Sequence, residues 1–166
     1  MARRVFFSFH YQRDLWRANI VRNSATVEGV AAVGFSDASL WEEAKRKGDE
    51  AIKRLIDNGL SGTTVTVVLI GAQTATRKYV TYEIQQSIKR GNGLLGVRIH
   101  GLKDKNGNTD SWGRVPAALS NAGAPIYTYE YGKLGDWVEQ AYKKAHPGSR
   151  KPGRSLRSNA ITCLRF

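Results

Sequence analysis

Cysteine and histidine are scarce in this sequence. Cys163 is the single cysteine among 166 residues, so the chain cannot form an internal disulfide and fits a reducing compartment. The three histidines are scattered, and with one cysteine they give no zinc-ligand spacing. The sequence therefore predicts no metal in the functional site.

Long apolar runs and nucleotide fingerprints are also missing. No apolar stretch reaches the length of a membrane span, and the apolar start MARRVFFSFHYQ is broken by His10, so no secretory signal is predicted. We therefore expect a cytoplasmic protein without a membrane partner. The chain has no GxGxxG and no Walker motif, so a dinucleotide would be held by a crevice and not by a glycine-rich phosphate loop.

Acidic residues are few, with 14 Asp and Glu against 26 Lys and Arg, which gives a net charge of +12. Residues 146–166 hold several of the basic residues and no acid, which predicts a basic tail over 147–166, partly disordered or docked on the domain. The charge fits an anionic partner or a solubilising surface. Outside the tail the basic residues are scattered among acids without an aromatic-interleaved stripe, which argues against a nucleic acid as partner.

The most informative stretch is 64–90. Its residues 65–70, VTVVLI, are rich in Val and Ile without period-2 alternation, which predicts a strand buried on both faces. After a loop of small polar residues, Val80, Ile84 and Ile88 recur at helical spacing, and Gly91 ends the helix. A strand followed by a helix in this way is typical of a parallel sheet.

Glu83 is the unusual residue of this helix. It borders the apolar stripe, and none of its neighbours one turn away is basic, so the helix offers it no salt-bridge partner. A carboxylate beside an apolar seam is a candidate site residue. A half-buried surface glutamate has the same pattern, and the stretch alone leaves both interpretations open.

The remaining pattern alternates strands with helices. Strands are predicted at 3–9, 32–35, 94–100 and 125–131, and helices at 14–23, 40–59 and 133–145, with Ser39 and Glu42 as a capping box for the second helix. A polar loop covers 101–112. This order predicts an α/β domain over residues 1–146, a flavodoxin-like three-layer sandwich with a five-stranded parallel sheet in the order 2-1-3-4-5 and helices on both faces.

In such a sheet the ligand crevice lies at the carboxyl ends of strands one and three. The topology brings segments 8–11, 36–39 and 71–74 together there, with the helix of Glu83 at the rim. Ser8, His10 and Asp37 are polar candidates within these segments, although a lone histidine is more often structural. Arg77 and Lys78 could meet a pyrophosphate, or they could be solvated surface.

Three pieces of the chain carry a family resemblance: VFFSFHY, GFSDASLWEEA and VTVVLIGAQTATRKYVTYEI. Together they resemble the TIR-like domain family typified by the TIR component of the bacterial Thoeris anti-phage system, over roughly residues 3–145. The first piece is similar to the aromatic–aliphatic–Ser–aromatic motif of TIR strand one. The third is similar to the TIR helix that carries a small hydroxyl residue, an aromatic and a glutamate, here Thr76, Tyr79 and Glu83.

The resemblance implies an NAD-cleaving activity with Glu83 as the catalytic residue and NAD+ as substrate, without a cofactor. It implies that Phe6 and Ser8 line the nicotinamide-ribose pocket and that residues 36–39 form a mobile loop used in self-association. Together with the aromatic and polar side chains around the predicted crevice, this gives as substrate-binding candidates Phe6, Ser8, Phe9, His10, Ser36, Asp37, Trp41 and Tyr79. It further implies a cyclic ADP-ribose isomer as product, read by a separate effector protein.

One competing interpretation remains. TIR folds also serve as non-catalytic protein-interaction modules, for which an aromatic and basic surface would be equally suitable. Glu83 discriminates between the two, because a scaffold has no need of a lone carboxylate at the crevice. A single carboxylate can suffice for cleavage, since nicotinamide leaves a pyridinium as a neutral group and needs no general acid.

Overall fold

The computed structural model describes residues 2–32 and 38–148. Within these ranges the chain forms five strands, six α-helices and one 3₁₀ turn at Thr74–Thr76. In chain order they are β1 Arg3–Ser8, α1 Tyr11–Val27, β2 Val30–Ala32, α2 Ala38–Lys47, α3 Asp49–Leu60, β3 Val65–Ile70, α4 Lys78–Lys89, β4 Gly93–Arg98, α5 Ala117–Asn121, β5 Ile126–Thr128 and α6 Leu134–Ala145. Among the described helices, none has the length and apolar character needed to cross a membrane.

The five strands form one parallel sheet in the order β2-β1-β3-β4-β5. This order confirms the predicted flavodoxin-like topology. The central strand β3 is buried along its whole length, as its Val-rich sequence predicts for a strand covered on both faces. Because β1 and β3 are neighbours while α1 and α4 leave them on opposite sides, their carboxyl ends border a crevice.

Helices cover both faces of the sheet. On one face Thr66 of β3 and Ser87 of α4 share a hydrogen bond of 2.7 Å between their hydroxyl groups. On the opposite face Gly93, which pairs with Val65 in register, leaves room for the Ala141 carbonyl of α6. A side chain at Gly93 would overlap that carbonyl, so the glycine permits the close approach of α6. The predicted three-layer sandwich is confirmed.

The predicted single helix over 40–59 is wrong, because the structure has two helices that meet at Gly48. The φ of Gly48 is +105°, a backbone conformation that glycine adopts far more readily than other residues. The interruption ends α2 at Lys47 and begins α3 at Asp49. Ser39 lies inside α2 and not before it, so the predicted capping box with Glu42 is also wrong.

Other boundaries differ from the prediction in length. Helix α1 starts directly after β1 and continues to Val27, whereas the sequence predicted 14–23. Strand β5 has three residues in place of seven, because its pairing with β4 stops where β4 ends at Arg98. The described part of β2 is Val30–Ala32, and the predicted continuation through 33–35 lies outside the described residues. The predicted tail after residue 148 also lies outside them.

The predicted polar loop 101–112 is fastened to α1. Arg17 donates from Nε to the Leu102 carbonyl over 2.8 Å and from Nη2 to the Asn108 carbonyl over 3.0 Å. Arg13 forms a two-pronged ion pair with Asp110, with N–O distances of 2.9 and 3.0 Å. The loop is therefore held by charged side chains of a helix more than eighty residues earlier in the chain.

Candidate active site

A cavity of about 300 Å³ opens where β1 runs into α1. Its walls come from residues 9–12 after β1, from the junction of α2 and α3, and from the first turns of α4. This is the carboxyl end of β1, the edge of the sheet where the topology predicts a ligand crevice. The elements β1 and α4, which are far apart in the sequence, come together at this cavity, where Glu83 of α4 contacts the end of β1.

Glu83 lies buried at this cavity, with 4% of its surface exposed. The Ser8 hydroxyl, at the end of β1, donates a hydrogen bond to Glu83 Oε2. Burial disfavours the charged carboxylate and raises the pKa of Glu83 to about 8, although the bond from Ser8 acts in the opposite direction. Among the described residues Glu83 has no ion-pair partner, so it is not the solvated surface glutamate that its sequence also allowed.

The position of Glu83 follows from the apolar stripe of α4. Val80, Ile84 and Ser87 are buried against the sheet, and Glu83 lies on the same side of the helix at its edge. A residue three positions after Val80 is placed almost above it along the helix axis, because the α-helix has 3.6 residues per turn. Packing of this stripe therefore carries the carboxyl group into the cavity.

Four aromatic rings follow one another along the cavity wall. The ring centroids of Phe9 and Tyr11 are 6.2 Å apart, and those of Tyr11 and Trp41 are 5.4 Å apart. Trp41 meets Tyr79 edge to face, with 5.7 Å between centroids and an interplanar angle of 89°. These rings give the cavity an apolar wall that a flat heterocycle can contact.

Asp49 joins the start of α3 to the start of α4. Its Oδ1 accepts a hydrogen bond from the Tyr79 hydroxyl over 2.9 Å and from Lys78 Nζ over 2.5 Å, and Lys53 Nζ lies 2.9 Å from Oδ2. The bonds from Lys78, Lys53 and Tyr79 hold the pKa of Asp49 well below its usual range. Asp49 is therefore ionised and already neutralised, and it fixes the orientation of the Tyr79 ring.

His10 and Arg77 line the cavity at the beginning of α4. His10 Nδ1 and Arg77 Nε are buried, and neither has a hydrogen-bond partner within residues 2–32 and 38–148. Burial lowers the pKa of His10, and the positive charges of Arg77 and Arg13 add to this effect. The imidazole is therefore neutral near pH 7.

The structure places most of the predicted site residues around one cavity. Phe9, His10, Trp41 and Tyr79 line it together with Glu83. Ser8, the last residue of β1, contacts the Glu83 carboxylate directly through its hydroxyl group. Two further candidates, Ser36 and Asp37, lie outside the described residues.

The expectation that Phe6 lines the pocket is wrong. Phe6 is fully buried two residues before Ser8, inside the sheet, and it is absent from the cavity wall. Neighbours on the same face of a strand are about 7 Å apart along the chain, so the ring remains in the core below the cavity. Segment 71–74 is also absent from the wall, because the Thr74 hydroxyl turns inward and accepts a bond from the Gly71 N–H over 2.8 Å.

The sequence analysis missed Asp49, Lys45 and Tyr11 as cavity residues. The first two fell within the single predicted helix over 40–59, and the glycine at 48 directly before an acidic residue was the signal that could have separated α2 from α3. Tyr11 was in a predicted crevice segment but was not selected. Within residues 2–32 and 38–148, no group of three or more His, Cys, Asp and Glu side chains could hold a metal ion.

A parallel sheet in the order 2-1-3-4-5, with a buried helix carboxylate bonded to the end of strand one, defines a TIR-like α/β domain. Residues 6–104 match the family model described as Thoeris protein ThsB, TIR-like domain. A Bacillus cereus (strain MSX-D12) protein, named as a proposed cyclic ADP-D-ribose synthase, ThsB1, is 47% identical over 154 residues, which cover 89% of this chain and 79% of that protein. The chain therefore belongs to the ThsB TIR-like domain family.

Proposed function

We propose that this chain is an NAD+-cleaving signalling enzyme, which releases nicotinamide and closes the remaining ADP-ribose into a cyclic isomer. The observation that carries the proposal is Glu83, a carboxyl group buried in an aromatic-walled cavity and bonded to Ser8. The relative from Bacillus cereus supports it, because that protein is named for cyclic ADP-D-ribose synthesis and is 47% identical.

Cleavage of the bond between nicotinamide and ribose leaves an oxocarbenium-like centre at the ribose C1′. A carboxylate beside the ribose stabilises this positive charge, and burial of Glu83 makes the attraction stronger than it would be in water. The bond electrons move to the pyridinium nitrogen, so nicotinamide leaves as a neutral molecule without a proton donor. The pyridinium charge of the bound substrate also favours the ionised form of Glu83.

The product depends on the group that attacks C1′. Attack by an adenine nitrogen or by another ribose hydroxyl forms the new bond and closes the ring, and the attacking group gives its proton to solvent where it carries one. Attack by water gives linear ADP-ribose instead. The wall formed by Tyr11, Trp41 and Tyr79 shields one side of the cavity from water, which favours the internal nucleophile.

The proposed setting is Thoeris anti-phage defence in the cytoplasm. NAD+ is the substrate, and no cofactor takes part in the reaction. The cyclic product acts as a messenger to a separate effector protein. Self-association through TIR-type contacts is the proposed route to the active assembly, since the resemblance assigns such contacts to segment 36–39, whose last two residues begin α2.

The first test is mass spectrometry of the products formed from NAD+ by concentrated purified protein. We expect free nicotinamide together with a product lighter than ADP-ribose by one water, because ring closure uses an internal nucleophile. Linear ADP-ribose alone would establish cleavage and contradict cyclisation. The assay is then repeated in extracts of phage-infected cells that express the protein, because infection would supply a trigger that the purified protein lacks. Absence of nicotinamide release under both conditions would favour the interaction module.

Ser8→Ala should shift the pH dependence of NAD+ cleavage to higher pH. The Ser8 hydroxyl stabilises the ionised carboxylate, so its loss raises the pKa of Glu83 further above about 8. At neutral pH we expect kcat/KM to fall about 10- to 100-fold, the range for a hydrogen bond to a charged group, while the rate recovers in more alkaline buffer. The measurement is a profile of kcat/KM against pH for both proteins.

Ser87→Ala is the matched control for this profile. Ser87 is as buried as Ser8, and its hydroxyl donates to the Glu83 main-chain carbonyl over 2.7 Å instead of to the carboxylate. Both substitutions should lower stability by a similar amount, but only the change at Ser8 should move the profile. Equal profiles for the two variants would contradict the role of Ser8.

A further inference from the structure

One end of the cavity is electropositive. Arg77 lies at this end, at the start of α4, while Lys45 lines the same cavity from α2, and within the described part of the chain neither forms an ion pair. Asp49 is an acidic residue of the same wall, but it is already neutralised by Lys78 and Lys53. The two free cations are therefore available to a ligand, whereas Lys78, the other basic residue at the start of α4, is occupied.

Two buried polar atoms at this end also lack partners. Among residues 2–32 and 38–148, nothing is hydrogen-bonded to Arg77 Nε or to His10 Nδ1, although His10 is only 9% exposed. A buried polar group without a hydrogen bond destabilises the fold, so such atoms are rare unless a ligand or water completes them. The His10 imidazole, neutral because of burial and of the nearby Arg77, still has one N–H to donate.

The start of α4 adds a third feature to the same place. The helix has 12 residues and follows Arg77 as its N-cap, and no side chain caps it. The first N–H groups of a helix have no partner inside the helix, and the helix dipole makes that end attractive to anions. Arg77, His10 and these N–H groups together form a site for a phosphate-type anion and not for a neutral sugar.

We propose that this end of the cavity binds the diphosphate of the dinucleotide, with Arg77 as its principal anchor, His10 and the first N–H groups of α4 as hydrogen-bond donors, and Lys45 at the rim. The identity of the ligand rests on the proposed function. Glu83 lies six residues after Arg77, about 9 Å farther along the helix axis. A ribose beside Glu83 therefore extends its 5′-diphosphate along α4 toward Arg77, which fixes the direction in which the substrate enters.

The kinetic test compares Arg77→Gln with the unchanged protein on two substrates. NAD+ contains the diphosphate, while nicotinamide riboside contains the same scissile bond without any phosphate. We expect Arg77→Gln to raise KM for NAD+ about 10- to 100-fold, the range for hydrogen bonds to charged groups, and to leave cleavage of nicotinamide riboside unchanged. An equal loss on both substrates, or no loss on NAD+, would overturn the proposal.

Two further variants separate the subsite from a general effect of charge. Arg77→Lys keeps the charge and should recover part of the affinity for NAD+. Arg46→Gln removes one positive charge from an exposed position of α2 outside the cavity wall and should leave KM unchanged. Thermal melting of all variants checks the fold, and a rise in KM with Arg46→Gln as large as with Arg77→Gln would contradict a local site.

Binding of ADP-ribose, measured by titration calorimetry, tests the subsite without catalysis. Weaker ADP-ribose binding by Arg77→Gln in a protein that does not cleave NAD+ would support the subsite while the proposed function fails. Cleavage of NAD+ with a KM that does not depend on Arg77 would overturn the subsite while the function stands. Failure of the unchanged protein to bind ADP-ribose at millimolar concentration would also overturn the subsite.

Discussion

Glu83→Gln should lower nicotinamide release from NAD+ at least about 10³-fold and at the same time stabilise the fold at neutral and alkaline pH. The loss of activity follows from the loss of the negative charge that faces the oxocarbenium-like ribose. The amide keeps the shape of the side chain, and its oxygen can still accept the hydrogen bond from Ser8. Activity and stability should therefore change in opposite directions.

The gain in stability follows from the raised pKa of Glu83. The unfolded carboxyl group has a pKa near 4.5, whereas burial raises the pKa of Glu83 in the folded protein to about 8. Between these values the unfolded state loses its proton while the folded state keeps it, so rising pH favours unfolding. The contribution is fully present below pH 4.5 and is lost by about pH 8, a change of a few kcal/mol at about 1.4 kcal/mol per pKa unit.

The measurement is urea denaturation of both proteins from about pH 5 to about pH 9. The free energy of unfolding of Glu83→Gln, relative to the unchanged protein, should rise with pH across this range. Glu42→Gln is the control, because Glu42 is exposed on α2 outside the cavity and should change neither activity nor the pH dependence of stability. Parallel stability curves for Glu83→Gln and the unchanged protein would show that Glu83 is ionised in the fold.

The sheet could be predicted because its signals are local. The Val-rich run of β3 and the stripe Val80–Ile84 of α4 each identify an element within a few residues, and their alternation determines the topology. The same stripe placed Glu83 at the edge of the core. Whether that carboxyl group is buried depends on the end of β1, which is 75 residues earlier in the chain, and no local pattern reports such a contact.

The errors arose where one residue or one long-range contact decides the structure. Gly48 divides a predicted helix by a single backbone conformation, and the division brings Asp49 into the cavity. Phe6 was assigned to the pocket by its place in a motif, although strand geometry retains it in the core. The different environments of Arg77 and Lys78 follow from the position of Asp49, which the predicted continuous helix could not give.

Arg17→Met should destabilise the fold by about 3–5 kcal/mol, the usual cost of leaving one partner of a buried ion pair alone. Arg17 and Asp14 are one helical turn apart, with 4% and 0% of their side chains exposed and 3.3 Å between Nη1 and Oδ1. Burial raises the pKa of Asp14, and Arg17 opposes this shift. Without Arg17 the carboxyl group must be buried as an unpaired charge or take up a proton.

Arg17→Met should also release the loop 101–112, because Arg17 donates to the main-chain carbonyls of Leu102 and Asn108. The unfolding free energy is measured by urea denaturation, and release of the loop is measured as faster amide hydrogen exchange within 101–112. The control is Arg13→Gln, which breaks a more exposed pair with Asp110 and should cost less than about 1 kcal/mol.

A double variant separates the buried charge from the loop contacts. Asp14→Asn removes the charge that Arg17 neutralises, so Asp14→Asn combined with Arg17→Met should be more stable than the sum of the two single losses predicts. The loop should remain released, because its carbonyls still lack Arg17. A cost of Arg17→Met no greater than that of Arg13→Gln would contradict the buried pair. If the losses of the two single variants simply add in the double variant, the whole destabilisation by Arg17→Met comes from the lost loop contacts. Arg17 would then stabilise the fold by holding residues 101–112 against α1.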